Sequence, residues 1–183
     1  MSKYVRVMDG IRSNASGFEF KIDEINVAKK WNPTDLDSER MGGFNFGCED
    51  KILRWLHRGD TIYDVIIPRD AEVILCNEEK GVWQSNSIIV TNPRKITDEM
   101  VVELYKKTTL SNKVLAQCLQ TLLWKNRIEI SKYIIRDRVN KDNVVEFIKE
   151  FEDYVKKSEE FKYDELNDDS KKIYDILKNI KLI

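Results

Sequence analysis

The chain has 183 residues, 42% of them hydrophobic and 34% charged, enough apolar material for a core the size of one domain or two small ones. Lys and Arg number 31 against 32 Asp and Glu, a formal net charge of -1, which argues against a dedicated nucleic-acid binder, whose phosphate contacts need a basic surplus. No stretch approaches the roughly 20 apolar residues of a membrane span, and Met1-Ser2-Lys3-Tyr4 opens no apolar signal segment, so a cytoplasmic protein without membrane contact is expected.

Tyr4-Val5-Arg6-Val7-Met8 alternates as a strand does and stops at the turn signal Asp9-Gly10, followed by loop-forming residues 12–17. Phe18, Phe20 and Ile22 alternate with Glu19, Lys21 and Asp23, which predicts a second strand with one wet face. Residues 31–40 are polar and broken by Pro33, the pattern of a surface loop able to cover a cleft. Gly42-Gly43-Phe44-Asn45-Phe46-Gly47 sets two aromatics among glycines and predicts a short strand with a crowded backbone. Glu49 and Asp50 suit a helix N-terminus, Ile52, Leu53 and Leu56 form its stripe, and Arg58-Gly59 ends it. Strands follow at 61–67, closed by Pro68, at 71–76, and at 82–90, the last two joined by a turn over 77–81. Asn92-Pro93 ends the β-rich half.

Beyond Pro93 the apolar period becomes helical. Thr97-Asp98-Glu99 starts a helix carrying Met100, Val101, Leu104 and Tyr105; Ser111 caps the next, whose stripe of Val114, Leu115, Cys118, Leu119, Leu122 and Leu123 is the most regular in the chain. A third helix is predicted over 128–136, a fourth carries Val144, Ile148, Phe151 and Val155, and a last one carries Ile173, Ile176, Leu177 and Ile180 after a charged bend over 158–169. The expected fold class is α+β: a mostly antiparallel, β-rich half over residues 1–93 and an all-α half over 94–183, forming one body rather than a string of modules.

Few residues carry recognisable chemistry. His57, the sole histidine, sits beside Arg58 with no second metal ligand, and reads as an ordinary helix-end residue. Cys48, Cys76 and Cys118 are widely spaced, so free thiols are expected, with neither a disulfide framework nor a zinc site. P-loop, Gly-x-Gly-x-x-Gly and His-Glu-x-x-His motifs are absent, and the acidic pairs are sequence neighbours that point apart. The aromatics Trp31, Phe44, Phe46, Trp55 and Trp83 near glycines read mainly as core, with a planar ligand as the functional alternative.

The order of a strand ending in Asp9-Gly10, then Gly43-Phe44-Asn45-Phe46-Gly47, a helix over 49–57 and the strand Ile62-Tyr63-Asp64-Val65-Ile66-Ile67 resembles the ADP-ribosyltransferase fold over residues 4–90. The resemblance implies an NAD site near Asp9, Gly10, Phe44, Phe46 and Trp83. For catalysis it implies Arg6 or Arg12 on the phosphates, Phe44 or Phe46 near the nicotinamide, Asn45 at the tyrosine or serine position, and Gln84 or Asn86 near the glutamate position. Asp9 stands where that family has His or Arg, and a neutral amide replaces the glutamate that helps charge build at the ribose. The resemblance therefore implies an altered site and a non-catalytic binding domain with no cofactor; NAD-dependent ADP-ribosyl transfer to protein or nucleic acid is the alternative. In size and Lys/Ile/Asn/Asp-rich style the chain is also similar to small accessory proteins of Firmicutes and their phages, including anti-CRISPR inhibitors of bacterial defence. That likeness implies a protein or nucleoprotein partner in a bacterial host. Arg136, Arg138 and Lys141 form a short basic cluster that offers direct nucleic-acid contact, and the full helical stripe leaves a homodimer open.

Overall fold

A computed structural model describes residues 3–13, 16–35, 37–156 and 159–182; parts of the loops predicted over 12–17 and 31–40, and the start of the charged bend at Ser158, lie outside them. Contacts divide the chain into two units, Met1–Thr97 and Asp98–Ile183. The first holds strands β1 (Tyr4–Met8), β2 (Ile25–Val27), β3 (Phe44–Cys48), β4 (Thr61–Ile66), β5 (Val73–Asn77), β6 (Val82–Ser85) and β7 (Ser87–Lys95), with a short helix α1 (Ser38–Met41) and a 3₁₀ helix Glu49–Arg58. The second is helical: α2 (Asp98–Lys106), α3 (Asn112–Leu123), α4 (Ile128–Arg138), α5 (Val144–Val155) and α6 (Asp168–Leu182). The class is α+β.

All seven strands join one antiparallel sheet in the order β2-β7-β4-β1-β3-β6-β5. β6 ends at Ser85 and β7 begins at Ser87, yet four strand spacings separate them in that order. At roughly 4.8 Å per spacing a flat sheet would hold them about 19 Å apart, whereas two residues reach only about 7 Å. The sheet therefore curls until its strands meet at Asn86. Its inner surface encloses Met8, Phe20, Phe44, Phe46, Tyr63, Val65, Ile88 and Val90. Phe46 is fully buried there, a contribution of about 2–3 kcal/mol.

Apart from shifts of one or two residues at the ends of β4 and β5, three predicted strand limits change, each for a local reason. The ladder expected over 18–23 forms only single bridges at Glu19 and Ile22; Asp23 turns at φ 60, and the backbone N–H of Lys21 donates to the Asn26 side chain, leaving Ile25–Val27 to pair with β7. The strand predicted over 82–90 is two, because Asn86 redirects the chain: its carbonyl accepts from Ala28 and its Oδ1 from the Glu72 N–H. Asn92-Pro93 does not end the β half. Asn92 adopts φ 50, and the register slips between Ile62 and Asp64, so a bulge absorbs the proline and β7 continues to Lys95.

The 3₁₀ helix lies on the opposite face of the sheet from the aromatic core. A Cβ at Gly47 would stand 3.6 Å from both Ile52 and Trp55, and Val5, which pairs with Gly47, is buried on the same side. Gly59, just after the helix, passes so close to Met8 that a Cβ would lie 2.0 Å from its carbonyl. Any side chain there would force the helix off the sheet.

In the second unit α3 packs against α4, α5 and α6. Its predicted stripe is the centre: Val114, Leu115, Cys118, Leu119 and Leu122 are at most 1% exposed. Ser111 caps it by accepting from the Val114 N–H. Asn126 at φ 58 stops the turn that follows.

Candidate functional site

The curled sheet brings β1 and β3 together only at Tyr4–Cys48 and Val5–Gly47, after which their ladder ends. Arg6 bridges the divergence. Its Nη1 donates to the Asn45 carbonyl and its Nη2 to Ser13 Oγ at 3.0 Å, while the guanidinium lies 4.9 Å from the centre of the Phe20 ring. Burial, followed by the nearby charge of Arg58, pushes its pKa down to about 10, so it stays a cation at neutral pH.

Beyond this bridge, β3, β5 and β6 and the 3₁₀ helix enclose a cleft of about 440 Å³. Asn45, Ile74, Cys76 and Val82 contribute from the strands, Arg54, Trp55 and Arg58 from the helix, and Asn77 and Lys80 from the β5–β6 hairpin. Pro33, Asp35 and Met41 line it from the loop predicted to cover a cleft. The indole of Trp55, only 5% exposed, supports both arginines, whose guanidinium carbons lie 5.1 Å and 5.0 Å from its ring.

Among the described residues, more cations than carboxylates line the cleft. Arg54, Arg58 and Lys80 face one carboxylate, Asp35, which accepts hydrogen bonds from Arg40 at 3.2 Å and 3.3 Å and is held below the usual carboxylate range by them. In two residues of its wall, Asn45 Oδ1 and Trp55 Nε1 are buried without an intraprotein hydrogen bond among the described residues, a penalty of roughly 1–3 kcal/mol each. Cys76, the thiol on the cleft, donates to Gln84 Oε1 at 3.3 Å, and burial raises its pKa; it is a poor nucleophile.

Of the residues singled out from sequence, Asn45 and Trp55 line this cleft, together with Cys76, read there as a free thiol, and Pro33 of the predicted covering loop. Gln84 pairs with Asn45 in register but is 2% exposed. Arg12 is exposed in an ion pair with Glu19, and Asp9 bridges Arg12 through backbone atoms. Gly10 takes φ 54 and its carbonyl accepts from Tyr63 Oη at 3.0 Å. Phe44 and Phe46 point into the core, Trp83 packs 5.5 Å from Tyr4, and Asn86 is engaged at the strand junction. The glycines beside Phe44 serve packing: a Cβ on Gly43 would strike the Trp31 ring at 2.6 Å. In the second unit Arg136, Arg138 and Lys141 are exposed, with Arg138 Nε donating to Asn112 at 3.1 Å.

Arg54, Arg58 and Lys80 were not singled out from sequence. Their signal lies in Leu53-Arg54-Trp55-Leu56-His57-Arg58, where cations flank a buried aromatic, but what makes them a site is the hairpin carrying Lys80 opposite. Among the described residues no three His, Cys, Asp or Glu side chains gather as metal ligands, and no helix is long and apolar enough to cross a membrane. Compared with family models, with curated proteins and with solved structures, the chain matches none.

Proposed function

We infer that the chain is a non-catalytic, macromolecule-binding accessory protein whose sheet unit docks an acidic segment of a partner protein in the Arg54–Arg58–Lys80 cleft. The observation that carries this reading is the lining of the cleft: among the described residues three cations and one carboxylate, which accepts hydrogen bonds from Arg40. An acidic protein segment fits better than a nucleic-acid backbone, because the cations form one compact cluster on a chain of net charge -1 rather than a track along many phosphates. Inhibition of a bacterial defence assembly is the setting that the general likeness to anti-CRISPR proteins suggests.

NAD-dependent ADP-ribosyl transfer is the competing reading. Asn45 on the cleft wall beside two arginines favours it, since guanidinium groups suit a diphosphate. Calorimetric titration with an oligo-glutamate peptide and, separately, with NAD distinguishes them. Peptide binding that Arg58→Ala weakens supports docking; NAD binding with nicotinamide release in a cell extract supports transfer and overturns it.

A further inference from the structure

The helical unit carries a second cleft of opposite character. Trp124 follows the last residue of α3, one position off the buried stripe, and its side chain is 53% exposed despite its apolar area. Tyr154, on the exposed flank of α5, is 37% exposed, and the two ring centres lie 6.0 Å apart at 33°. They stand over a cleft of about 430 Å³ whose other lining residues include Val155, Leu166, Glu165 and Ser170. Ser170 Oγ donates to Gln120 Oε1 at 2.8 Å between two buried residues, which gives the cleft a fixed floor.

The surrounding sequence is acidic: residues 150–169, which supply Tyr154, Val155 and the Glu165 side of the cleft, hold nine Asp and Glu against three Lys. Two of those lysines are held locally, Lys156 by Asp153 at 2.9 Å and Lys162 by Glu165 at 3.4 Å. We propose that this cleft binds an arginine-bearing basic segment of a partner protein, with one guanidinium over Trp124 and Tyr154 and its alkyl stem against Val155 and Leu166. The aromatic faces attract a cation, the planar guanidinium stacks as an ammonium does not, and the carboxylate of Glu165 exchanges its exposed Lys162 partner for the incoming guanidinium. Lys178 over Tyr174 at 5.0 Å and Lys171 over Tyr163 at 5.6 Å show the same unit using this attraction within itself. The surface is independent of the cleft in the sheet unit, so either assignment can fail alone.

The test uses the full chain and two synthetic peptides of about a dozen residues, one with alternating arginine and glycine, the other with citrulline in place of each arginine. Calorimetry reports binding to the parent and to every variant, since Trp31, Trp55 and Trp83 would add to the fluorescence of Trp124. Saturable binding of the arginine peptide is expected, weakened about tenfold by Trp124→Ala and less by Trp124→Phe, and about threefold by Glu165→Gln, with circular dichroism showing each variant folded. Equal binding of the citrulline peptide would make the cleft an apolar groove and overturn the proposal. So would arginine-peptide binding that ignores Trp124→Ala, or a concentration-dependent dimer lost in Trp124→Ala, which would give the face to a second copy.

Discussion

The centres of the two units handle buried polarity differently. Around α3 each buried hydroxyl has an acceptor: Thr121 Oγ donates to Cys118 O at 3.0 Å, Ser131 Oγ to Leu119 O at 3.1 Å and Ser170 Oγ to Gln120 Oε1 at 2.8 Å. In the sheet unit a guanidinium lies between β1 and β3, and among the described residues six buried side-chain atoms, Arg6 Nε, Asn45 Oδ1, Arg54 Nη1, Trp55 Nε1, His57 Nδ1 and Arg94 Nε, make no hydrogen bond, against one such atom, Arg127 Nη1, in the helical unit. Since most buried polar groups in folded proteins are matched, the helical centre reads as built for closure. In the sheet unit three of the mismatches, on Asn45, Arg54 and Trp55, belong to residues that line the cleft, where departures from local consistency are expected to serve function.

That comparison can be broken by substitution. The largest effect is expected at Leu119, fully buried in α3: Leu119→Ala should lower stability by about 2–5 kcal/mol in urea unfolding followed by far-ultraviolet circular dichroism. Arg6→Ala should cost about 2–3 kcal/mol, because it leaves the Asn45 carbonyl without its donor. Arg6→Met sharpens the point. If this variant is as stable as the parent, the buried charge makes no net contribution to folding. Ser170→Ala should cost about 1–2 kcal/mol by stranding Gln120 Oε1.

A smaller effect is expected with pH. Hydrogen bonds from Lys95 and then Thr61 hold the Asp60 carboxyl at about 2, below its ordinary value. A depressed acid stabilises the fold above its unfolded pKa of roughly 4, and that contribution disappears as pH falls towards 2. The Asp60 side chain is 45% exposed, so solvent screening limits the gain to about 1 kcal/mol or less. Asp60→Asn should flatten the loss of stability between those pH values, measured by urea midpoints.

Much of the fold was legible because burial writes periodicity into sequence. The α3 stripe follows the helical period without interruption, and β1, β3, β4 and the position of the 3₁₀ helix follow from alternation bounded by glycine and proline. What escaped was set by single residues whose effect is tertiary. Asn86 sends one apparent strand to both sides of the sheet, Asn92 lets a strand pass through a proline, and Asp23 with Asn26 moves β2 past its most strand-like residues. The cleft was less legible than the fold. Aromatics near glycines suggested a ligand face, but Phe44 and Phe46 fill the core and Gly43 makes room for Trp31. The arginines of the 3₁₀ helix look like ordinary surface charges until the β5–β6 hairpin sets Lys80 across from them. Cross-strand proximity of that kind has no local period.

The most direct test of the central claim is calorimetric titration of the full chain with an oligo-glutamate peptide at two salt concentrations, repeated with Arg58→Ala and Lys80→Ala. Lys80→Ala should keep stability within about 0.5 kcal/mol, Arg58→Ala should lose about 0.5–1 kcal/mol with its contact to the Trp55 ring, and circular dichroism shows each variant folded. The account predicts saturable binding of the parent that weakens with salt and falls in each variant. Peptide binding unchanged in both variants, or no binding at low salt, would contradict it.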